Sequence, residues 1–495
     1  MALGRGRAGA GSPAARQVWD SGHVEKTERP TVAVVGGGIA GLAAAARVRA
    51  ERPDVDVVLL ESSPDIGGKL RLGEVGGVVV DVGAEAMLNR RPEAVELTQA
   101  SGLGDAIVHP ATTAANLWSR GELLPMPRTL MGIPTDLKGL ADSKVISKAG
   151  LARAAMDAVL PASSLDGRDA SIGGLVEERF GKEVVDRLVE PLLGGVYAGH
   201  AREISARAAV PQVVALLDRD RSLTKAAARA MSGPASDTPI FAGITGGVGR
   251  LPAAVVTSSG TRVETDATVR DLARRSEGGW TLVVGSTREP RLVQADAVVL
   301  AVPAPPAARL LSDVAPAAAL ELARIEYASV AVVTLAFRLR DFPEVAGSGF
   351  LVPPVDKRAV KAATFSFAKW DWVRDAGGGE LLLMRCSLGR HREEHQLQRP
   401  DEELVEVALH DLADAIGLSV RPVDAHVQRW GGGLPQYAVG HLQRVAAIRA
   451  DVARQPGLAV CGAAYDGVGI PACIASGRRA ADEVLAALAA PAPER

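Results

Sequence analysis

The feature that most constrains the fold is a glycine-rich turn between a short apolar strand and an alanine-rich helix near the start of the chain. The segment 31–61 reads TVAVVGGGIAGLAAAARVRAERPDVDVVLLE. Gly36 permits a tight turn, Gly38 lets the backbone approach a pyrophosphate, and Gly41 lets the helix pack close to the strand. An anion would then lie at the helix N-terminus, where free N–H groups and the helix dipole favour negative charge. The segment predicts a dinucleotide-binding β-α-β unit, with Glu61 on the ribose hydroxyls.

The order of the elements, rather than the glycine motif alone, makes this prediction specific. The chain contains 53 glycines, so matches to a bare G-x-G-x-x-G pattern are expected by chance. Here strand, glycine turn, helix, second strand and acidic residue follow one another at the expected spacing. The main alternative is a secretory signal peptide, because 31–46 is uncharged and follows an arginine-bearing N-terminus. The glycines and the second strand argue against that alternative.

Length, charge and cysteine content bound the class of protein. A chain of 495 residues predicts two or three domains, and its net charge of −2 gives no general attraction to nucleic acid. No charge-free apolar run reaches the roughly 18 to 20 residues that a spanning helix needs, although peripheral membrane contact stays open. The scattered cysteines Cys386, Cys461 and Cys473 fit a reducing cytoplasm. Residues 1–30 lack hydrophobic periodicity and are predicted to form a disordered tail.

Three further glycine-containing segments extend the pattern toward a flavin site. Gly67, Gly68 and Lys69 form a Gly-Gly-basic element, and the segment 81–85, DVGAE, would bring backbone beside a flavin ring. Near the C-terminus, 458–471 reads LAVCGAAYDGVGIP, a strand, a glycine turn and a helix start. That helix N-terminus could face the pyrimidine carbonyls of a flavin. A glycine-rich hairpin and an ordinary C-terminal βα unit are the alternatives.

With three more segments, these elements resemble the protoporphyrinogen/coproporphyrinogen oxidase family. The segments are EPLLGGVYAGHAREIS at 190–205, GITGGVGRLPAAV at 243–255 and GGLPQYAVGH at 432–441. The first and the last are the discriminating ones, because other amine-oxidase-like flavoproteins share only the glycine motifs. The resemblance runs from about 31 to 488 and implies an α/β, amine-oxidase-like flavoprotein. Its parts would be a discontinuous Rossmann-like FAD-binding domain, a mixed α+β substrate domain and a helical cap.

The resemblance also implies a noncovalent FAD and a set of residues that contact it. Covalent attachment at Cys461 or Cys473 is disfavoured, because the Cys-Tyr pair of monoamine oxidases is absent: Ala464 precedes Tyr465. The positions that match the family's FAD contacts are Gly36, Gly37, Gly38, Ile39, Ala40, Gly41, Glu61, Ser62, Gly67, Gly68, Lys69, Gly83, Ala84, Glu85, Ala86, Val269, Trp430, Gly462, Val468, Gly469 and Ile470.

The chain is predicted to divide into one interrupted domain and two insertions. The FAD-binding domain would comprise 31–111, 243–312 and 428–487. Helical patterns dominate 112–242, which we expect to form a cap, and the resemblance implies that this cap often meets the membrane surface. The second insertion, 313–427, alternates β-like runs with one helix and is predicted to be the substrate-binding domain.

The activity implied is dehydrogenation of a porphyrinogen in haem biosynthesis, with molecular oxygen reoxidising the flavin and giving hydrogen peroxide. The flavin N5 would accept hydride, so the protein need supply only orientation, an apolar slot and counter-charges, and no catalytic side chain is assigned. Arg128 lies where the family pattern places a basic residue near substrate, and a solvated surface arginine is the alternative. Some apolar residues could line the slot, although core packing is the favoured role for each of them. These residues are Leu335, Phe350, Leu351 and Met384.

Several functional alternatives stay open at this point. Coproporphyrinogen III is the first choice of substrate, because the motifs resemble Gram-positive members, and protoporphyrinogen IX is the alternative. More distant alternatives are an amine oxidase, a carotenoid desaturase, or a non-catalytic flavin-binding partner in haem assembly. A haem-pathway enzyme partner stays open as well. The spacing His391-x-x-Glu394-His395 fits an inverted zincin motif, but charged neighbours predict a solvated stretch and no metal site.

Overall fold

The computed structural model describes residues 29–217, 219–232 and 238–489, so nearly all of the predicted N-terminal tail lies outside the described residues. The strands are β1 Thr31–Val35, β2 Asp56–Leu60, β3 Leu72–Val75, β4 Val78–Asp81, β5 Met87–Leu88, β6 Ile107–Val108, β7 Asn116–Ser119, β8 Glu122–Pro125, β9 Thr129–Leu130, β10 Ile133–Pro134, β11 Phe241–Ile244, β12 Arg262–Glu264, β13 Val269–Arg274, β14 Trp280–Gly285, β15 Pro290–Ala295, β16 Ala297–Leu300, β17 Tyr327–Arg338, β18 Gly349–Leu351, β19 Val360–Thr364, β20 Leu381–Leu388, β21 Asp424–Pro435 and β22 Leu458–Val460.

The helices are α1 Ile39–Glu51, α2 Pro92–Ala100, α3 Leu137–Asp142, α4 Lys148–Ala155, α5 Ile172–Phe180, α6 Lys182–Val184, α7 Glu190–Tyr197, α8 Ala206–Ala209, α9 Pro211–Leu217, α10 Leu223–Ala230, α11 Leu251–Ser259, α12 Ala304–Leu311, α13 Pro316–Ala323, α14 Ser366–Lys369, α15 Asp371–Ala376, α16 Asp401–Ile416, α17 His441–Val452 and α18 Ile470–Ala489. A π-helical turn, Val185–Val189, joins α6 to α7. Among the described residues, no helix combines the length and the apolar character needed to cross a bilayer.

A five-stranded parallel sheet, in the order β12-β2-β1-β16-β22, carries the dinucleotide turn. Its central strands are short runs of valine and leucine buried on both faces, as all-parallel sheets require. Helices α1, α11 and α18 pack on one face. The other face is covered by α12, α13, α17 and the small antiparallel sheet β13-β14-β15. The predicted α/β fold with a Rossmann-like, discontinuous sheet is therefore confirmed.

The second large sheet has seven strands of mixed orientation, in the order β21-β17-β20-β19-β18-β7-β8. Successive side chains of a strand point to opposite faces, and one face here is covered by α16. Leu335, Phe350 and Met384 pack in the core beneath α16, which confirms core packing for these three slot candidates. Leu351 lies on the opposite face and packs against the helical segment.

The helical segment comprises α3 to α10 and contains its own core, which includes the buried Phe180. A buried ion pair fixes its interior: Arg179 Nε donates to Asp157 Oδ1 over 2.9 Å, and Ser222 Oγ donates to Asp157 Oδ2 over 2.6 Å. Three strands differ from the predicted layout. β7 and β8 fall within the predicted cap but belong to the large sheet, and β21 begins ahead of the predicted boundary at 428. The division into domains stays a prediction.

Candidate functional site

Three glycines of the turn after β1 have different steric environments. Gly36 has a φ of +107°, and a Cβ at this position would lie 2.6 Å from the carbonyl oxygen of Ala301. A Cβ at Gly41 would lie 2.0 Å from the carbonyl oxygen of Gly36, so helix and strand can pack only without one. Around Gly38, in contrast, no atom lies within 4 Å of the added Cβ. Gly36 and Gly41 are thus required by the fold, whereas Gly38 borders open space that a ligand could fill.

The N-terminus of α1 opens onto the same space. The helix begins at Ile39, and Gly38 before it provides no side chain to cap the free N–H groups. Such an end is suited to a pyrophosphate, because both the free donors and the helix dipole favour an anion. Ala40, in the first turn, is buried and packs against α18. The predicted anion cradle therefore fits the geometry of this helix end.

Glu61 follows β2 and is held by the turn itself. Its Oε2 accepts a hydrogen bond from the Gly37 N–H over 2.6 Å. Its Oε1 accepts bonds from the N–H of Ser63 over 2.8 Å and from the hydroxyl of Ser63 over 2.9 Å. The neighbouring Ser62 is exposed. Oε1 also accepts from the Ser62 hydroxyl over 3.2 Å and is saturated, whereas Oε2 keeps a lone pair that can accept a bond from a ribose hydroxyl.

The second glycine pair folds back onto the first turn. Gly67 N–H donates to the carbonyl of Gly37 over 2.8 Å. Gly68 has a φ of +58°, and a Cβ there would come within 3.4 Å of the Cα of Gly38. The two glycine segments therefore form one continuous backbone wall, as the cofactor prediction requires.

Three distant segments meet beside this wall, around Gly83. A Cβ at Gly83 would lie 2.0 Å from the carbonyl oxygen of Lys69 and 3.1 Å from Cζ2 of Trp430. The next residue, Ala84, donates its N–H to the same Lys69 carbonyl over 2.9 Å. Lys69 is half-buried, and burial lowers the pKa of its ammonium group. The structure thus brings Lys69, Gly83 and Trp430 together, and their contact with a cofactor stays a prediction.

The carboxylate of Glu85 forms ion pairs inside the protein. Its Oε1 lies 2.6 Å from Nζ of Lys369, and its Oε2 lies 3.0 Å from Nη1 of Arg385. Burial would raise the pKa of Glu85, but the two cations outweigh burial and lower it to about 2. Arg385 also donates to the carbonyl of Gly83. We infer that this ion cluster fixes the backbone of 83–86, of which Ala86 packs on a small core beneath the large sheet.

The C-terminal loop is fixed by a residue whose role the sequence had not revealed. The hydroxyl of Tyr437 donates to the carbonyl of Ala463 over 2.6 Å and accepts from the N–H of Gly467 over 2.7 Å. The imidazole of His441 stacks on the Tyr437 ring at 3.9 Å between centroids. Both residues belong to the LPQYAVGH segment, so the family motif was the available signal. The loop so fixed leads to the residues Gly462, Val468, Gly469 and Ile470, where α18 begins.

The two cysteines near this loop are poor nucleophiles. Cys461 and Cys473 are free and buried. Burial raises the pKa of Cys461 to about 12 and that of Cys473 to about 11. Because the thiolate is the reactive form, neither thiol is activated for attachment to a ring carbon.

Two predicted contacts lie at the margins of this arrangement. Val269, half-buried, begins β13, and Ala267 just before it donates its N–H to the Glu61 carbonyl over 2.8 Å. Arg128 is exposed, and its Nη2 donates to the carbonyl of Met231 over 2.8 Å. Val269 therefore lies next to the dinucleotide turn, whereas Arg128 is held on the helical segment. Its contact with substrate stays a prediction.

The zincin-like segment differs from the expectation of a solvated stretch. His391 is only 5% exposed, and its Nε2 lies 3.1 Å from a carboxylate oxygen of Glu326. His391 and Arg392 form a turn, and a 3-10 helix begins at Glu394, so the two imidazoles do not lie one turn apart on an α-helix. The solvated assignment is wrong for His391, which is buried beside that carboxylate.

The dinucleotide turn, the second glycine wall and the start of α18 are typical of a dinucleotide-dependent oxidoreductase. The family model described as flavin containing amine oxidoreductase matches residues 39–485, and the chain belongs to that family. This membership confirms the resemblance and the prediction of a flavin-dependent oxidoreductase.

Relatives narrow the comparison further. The chain is 39% identical to coproporphyrinogen III oxidase of Mycobacterium tuberculosis strain H37Rv, covering 92% of this chain and 97% of the relative. It is 31% identical to coproporphyrinogen III oxidase of Bacillus subtilis strain 168, covering 92% and 97%. A crystal structure from Exiguobacterium sp. 255-15, provisionally named a protoporphyrinogen oxidase, superposes with a TM-score of 0.82 at 29% identity, covering 92% of this chain and 99% of that one.

Proposed function

We propose that this protein is an oxygen-dependent FAD oxidase that converts coproporphyrinogen III to coproporphyrin III in haem biosynthesis and releases hydrogen peroxide. The observation that carries the proposal is the 39% identity with the mycobacterial coproporphyrinogen III oxidase, since it extends over 92% of this chain and 97% of the relative. A relative of the same name in Bacillus subtilis supports the same substrate. A cytoplasmic location, with the helical segment contacting a membrane surface or a haem-pathway partner, belongs to the proposal.

FAD fits the site described above, held without a covalent bond. The pyrophosphate would lie at the N-terminus of α1 beside Gly38, and the ribose would lie on Glu61. The flavin ring would lie between the Gly83 backbone with Trp430 and the loop before α18. The high pKa values of the buried thiols support noncovalent binding, because no thiolate is available near this loop.

Bound flavin supplies an acceptor for the hydride that leaves a saturated carbon between two pyrrole rings. The residues of the chain orient and enclose the reactants. Tyr437 fixes the loop that aims the N-terminus of α18, whose dipole favours negative charge. Lys69, which forms no ion pair within the described residues, adds a positive charge beside the Gly83 backbone. A dedicated acid–base side chain is not part of the proposal.

The test follows from the balance of the reaction. Conversion of a porphyrinogen to a porphyrin removes six hydrogen atoms, so three molecules of oxygen are reduced to three of hydrogen peroxide per porphyrin. Purified yellow protein should bleach on addition of coproporphyrinogen III under nitrogen. In air it should then form fluorescent coproporphyrin and peroxide in the expected ratio. Unchanged flavin absorbance with no fluorescence above a heat-inactivated control would contradict an enzymatic role and leave a flavin-binding protein.

Protoporphyrinogen IX is the alternative substrate, and the observation that favours it is the 29% identity with the Exiguobacterium protein of that name. The two substrates differ in charge, because coproporphyrinogen carries four propionates and protoporphyrinogen two. Side-by-side turnover of both, followed by porphyrin fluorescence, separates them. We expect a higher kcat/KM for coproporphyrinogen III, and the reverse order would replace the proposed substrate with the alternative.

A further inference from the structure

Lys361 is a buried cation without a partner. It lies in β19 and is 4% exposed. Its ammonium group makes no hydrogen bond and no ion pair with any residue in 29–217, 219–232 or 238–489. Lysine is rarely buried unless it is paired, because taking an ammonium ion out of water is costly. Such a residue needs an explanation that the packing of the protein does not supply.

A β-bulge turns Lys361 toward the flavin-binding side of the large sheet. Val360 pairs with Leu388 and Ala362 pairs with Ser387, with a shift of register between them. Val360 and Ala363 both pack in the core beneath α16, which regular alternation does not allow for residues three apart. The bulge inserts one extra residue, so Lys361 and Ala362 share the opposite face.

That opposite face also reaches a segment predicted to contact the flavin. Ala362 pairs with Ser387 of β20. Arg385, two residues before Ser387 and therefore on the same face, donates to the carbonyl of Gly83. Lys361 therefore lies on the face of the large sheet from which Arg385 contacts the predicted flavin segment.

The charged group that acts most strongly on Lys361 is a second cation, the guanidinium of Arg390. Arg390 is 5% exposed and uses its guanidinium to donate to the carbonyls of Arg358 and Val352, over 3.1 and 3.5 Å. Acidic groups balance Arg390: its Nη1 lies 3.8 Å from a carboxylate oxygen of Glu393, and the carboxylates of Glu190 and Asp411 also act on its charge. No carboxylate balances Lys361 within the described residues, so an anion from a ligand would supply the counter-charge that this ammonium group lacks.

We propose that Lys361 forms an anion subsite that takes one propionate carboxylate of the porphyrinogen. The proposal rests on the proposed function and names the part of the substrate that this face would recognise. A carboxylate placed on Lys361 would supply the hydrogen bonds and the opposite charge that the ammonium lacks in the described residues. Propionates are the charged groups that a porphyrinogen offers to such a site.

The experiment compares Lys361→Met, Lys361→Arg and Lys357→Met as FAD-loaded proteins. Met keeps the length of the side chain and removes the charge, Arg keeps the charge, and exposed Lys357 provides a matched control four residues away. We expect Lys361→Met to raise the KM for coproporphyrinogen III about tenfold while kcat changes less than about threefold, because a charge-assisted bond to substrate is lost. Lys361→Arg and Lys357→Met should keep KM within about threefold.

Unchanged KM in a folded Lys361→Met protein would overturn the subsite. If that variant does not fold, Lys361→Gln replaces it in the same comparison. Failure of both to fold would assign Lys361 a structural role and also overturn the subsite. Titration of coproporphyrin III into each variant, followed by fluorescence, gives an independent reading of affinity, with a loss of about tenfold expected for the neutral variants. If the wild-type protein oxidises neither porphyrinogen, the proposed function fails, which is distinct from unchanged KM in an active variant.

Discussion

The cofactor wall and the flavin-facing side of the large sheet are built in different ways. The wall consists of backbone: glycines at tight turns, free helix N–H groups and the carbonyls of Lys69 and Gly83, which accept hydrogen bonds from the Ala84 N–H and from Arg385. The sheet face consists of side chains, such as Leu351 and Lys361, that long-range strand pairing brings together. A backbone site tolerates few substitutions because of its shape, whereas a side-chain site can be changed one charge at a time. Substitutions in the cofactor wall should therefore have large, all-or-none effects, whereas substitutions on the flavin-facing side of the sheet should have graded effects.

The largest effect is expected at Gly41, compared with Gly38. Gly41→Ala places a Cβ 2.0 Å from the Gly36 carbonyl oxygen. Because this overpacks the contact between helix and strand, we expect the protein to lose several kcal/mol of stability and to be purified without FAD. Gly38→Ala meets no atom within 4 Å, so the fold should lose less than about 1 kcal/mol while FAD affinity falls at least about tenfold. Chemical denaturation of the FAD-free proteins and flavin titration measure the two quantities. Equal effects at both positions would contradict the assignment of Gly38 to the ligand.

A smaller effect is expected at Tyr437, which joins the two regions. Tyr437→Phe leaves the Ala463 carbonyl and the Gly467 N–H without their shared partner, and we expect a loss of about 2 kcal/mol of stability together with weaker FAD binding. Tyr197→Phe is the matched control, because its ring lies 5.5 Å from that of Tyr437 and its hydroxyl has no hydrogen bond within the described residues. Thermal unfolding and flavin release should separate the two variants. Equal behaviour would show that the hydroxyl of Tyr437 does not fix the loop.

The two regions also differ in how far the sequence predicted them. The turn at Gly36, the carboxylate of Glu61 and the element at Lys69 could be predicted, because a backbone site needs particular residues at fixed local spacing. The role of Tyr437 could not, since its partners lie on a loop after another helix. Lys361 gave no signal, because VKAAT reads as an ordinary strand. Only pairing with β20 reveals the bulge. Strand pairing between residues far apart in the sequence likewise places β7 and β8 in the large sheet, although the sequence predicted that they belong to the cap.

The pH dependence of stability is a graded test of the side-chain region. Burial and the charge of Arg390 lower the pKa of Lys361 to about 7, from 10.5 for an ordinary lysine. Between these pH values the unfolded chain binds more protons than the folded chain. The charged ammonium group of Lys361 therefore destabilises the fold by its full amount below pH 7, and this destabilisation disappears as pH rises through 10.5. Lys361→Met should therefore raise the free energy of unfolding near pH 6 by a few kcal/mol, up to the roughly 5 kcal/mol that the whole pKa shift represents, and by progressively less toward pH 10. Urea denaturation of the FAD-free protein at several pH values checks this.

Lys357→Met provides the control for that experiment, because Lys357 is exposed and its removal should leave the pH profile unchanged. A variant that gains stability while losing affinity for substrate is expected of a charge kept for binding. Lower stability of Lys361→Met at every pH would instead indicate that the lysine stabilises the ligand-free fold. That outcome would remove the contrast between the two regions at this position.

The smallest effect is expected at Arg128, where sequence resemblance and structure favour different answers. The resemblance places a basic residue near substrate, but the side chain is exposed and donates to the Met231 carbonyl on the helical segment. An exposed arginine bound to one carbonyl contributes little, so Arg128→Met should change the KM for coproporphyrinogen III less than about threefold and stability less than about 0.5 kcal/mol. Steady-state kinetics beside Lys361→Met measures the difference. If Arg128→Met raised KM more than Lys361→Met, the carboxylate-recognising charge would lie on the helical segment, and the flavin-facing side of the sheet would serve mainly to enclose the ring.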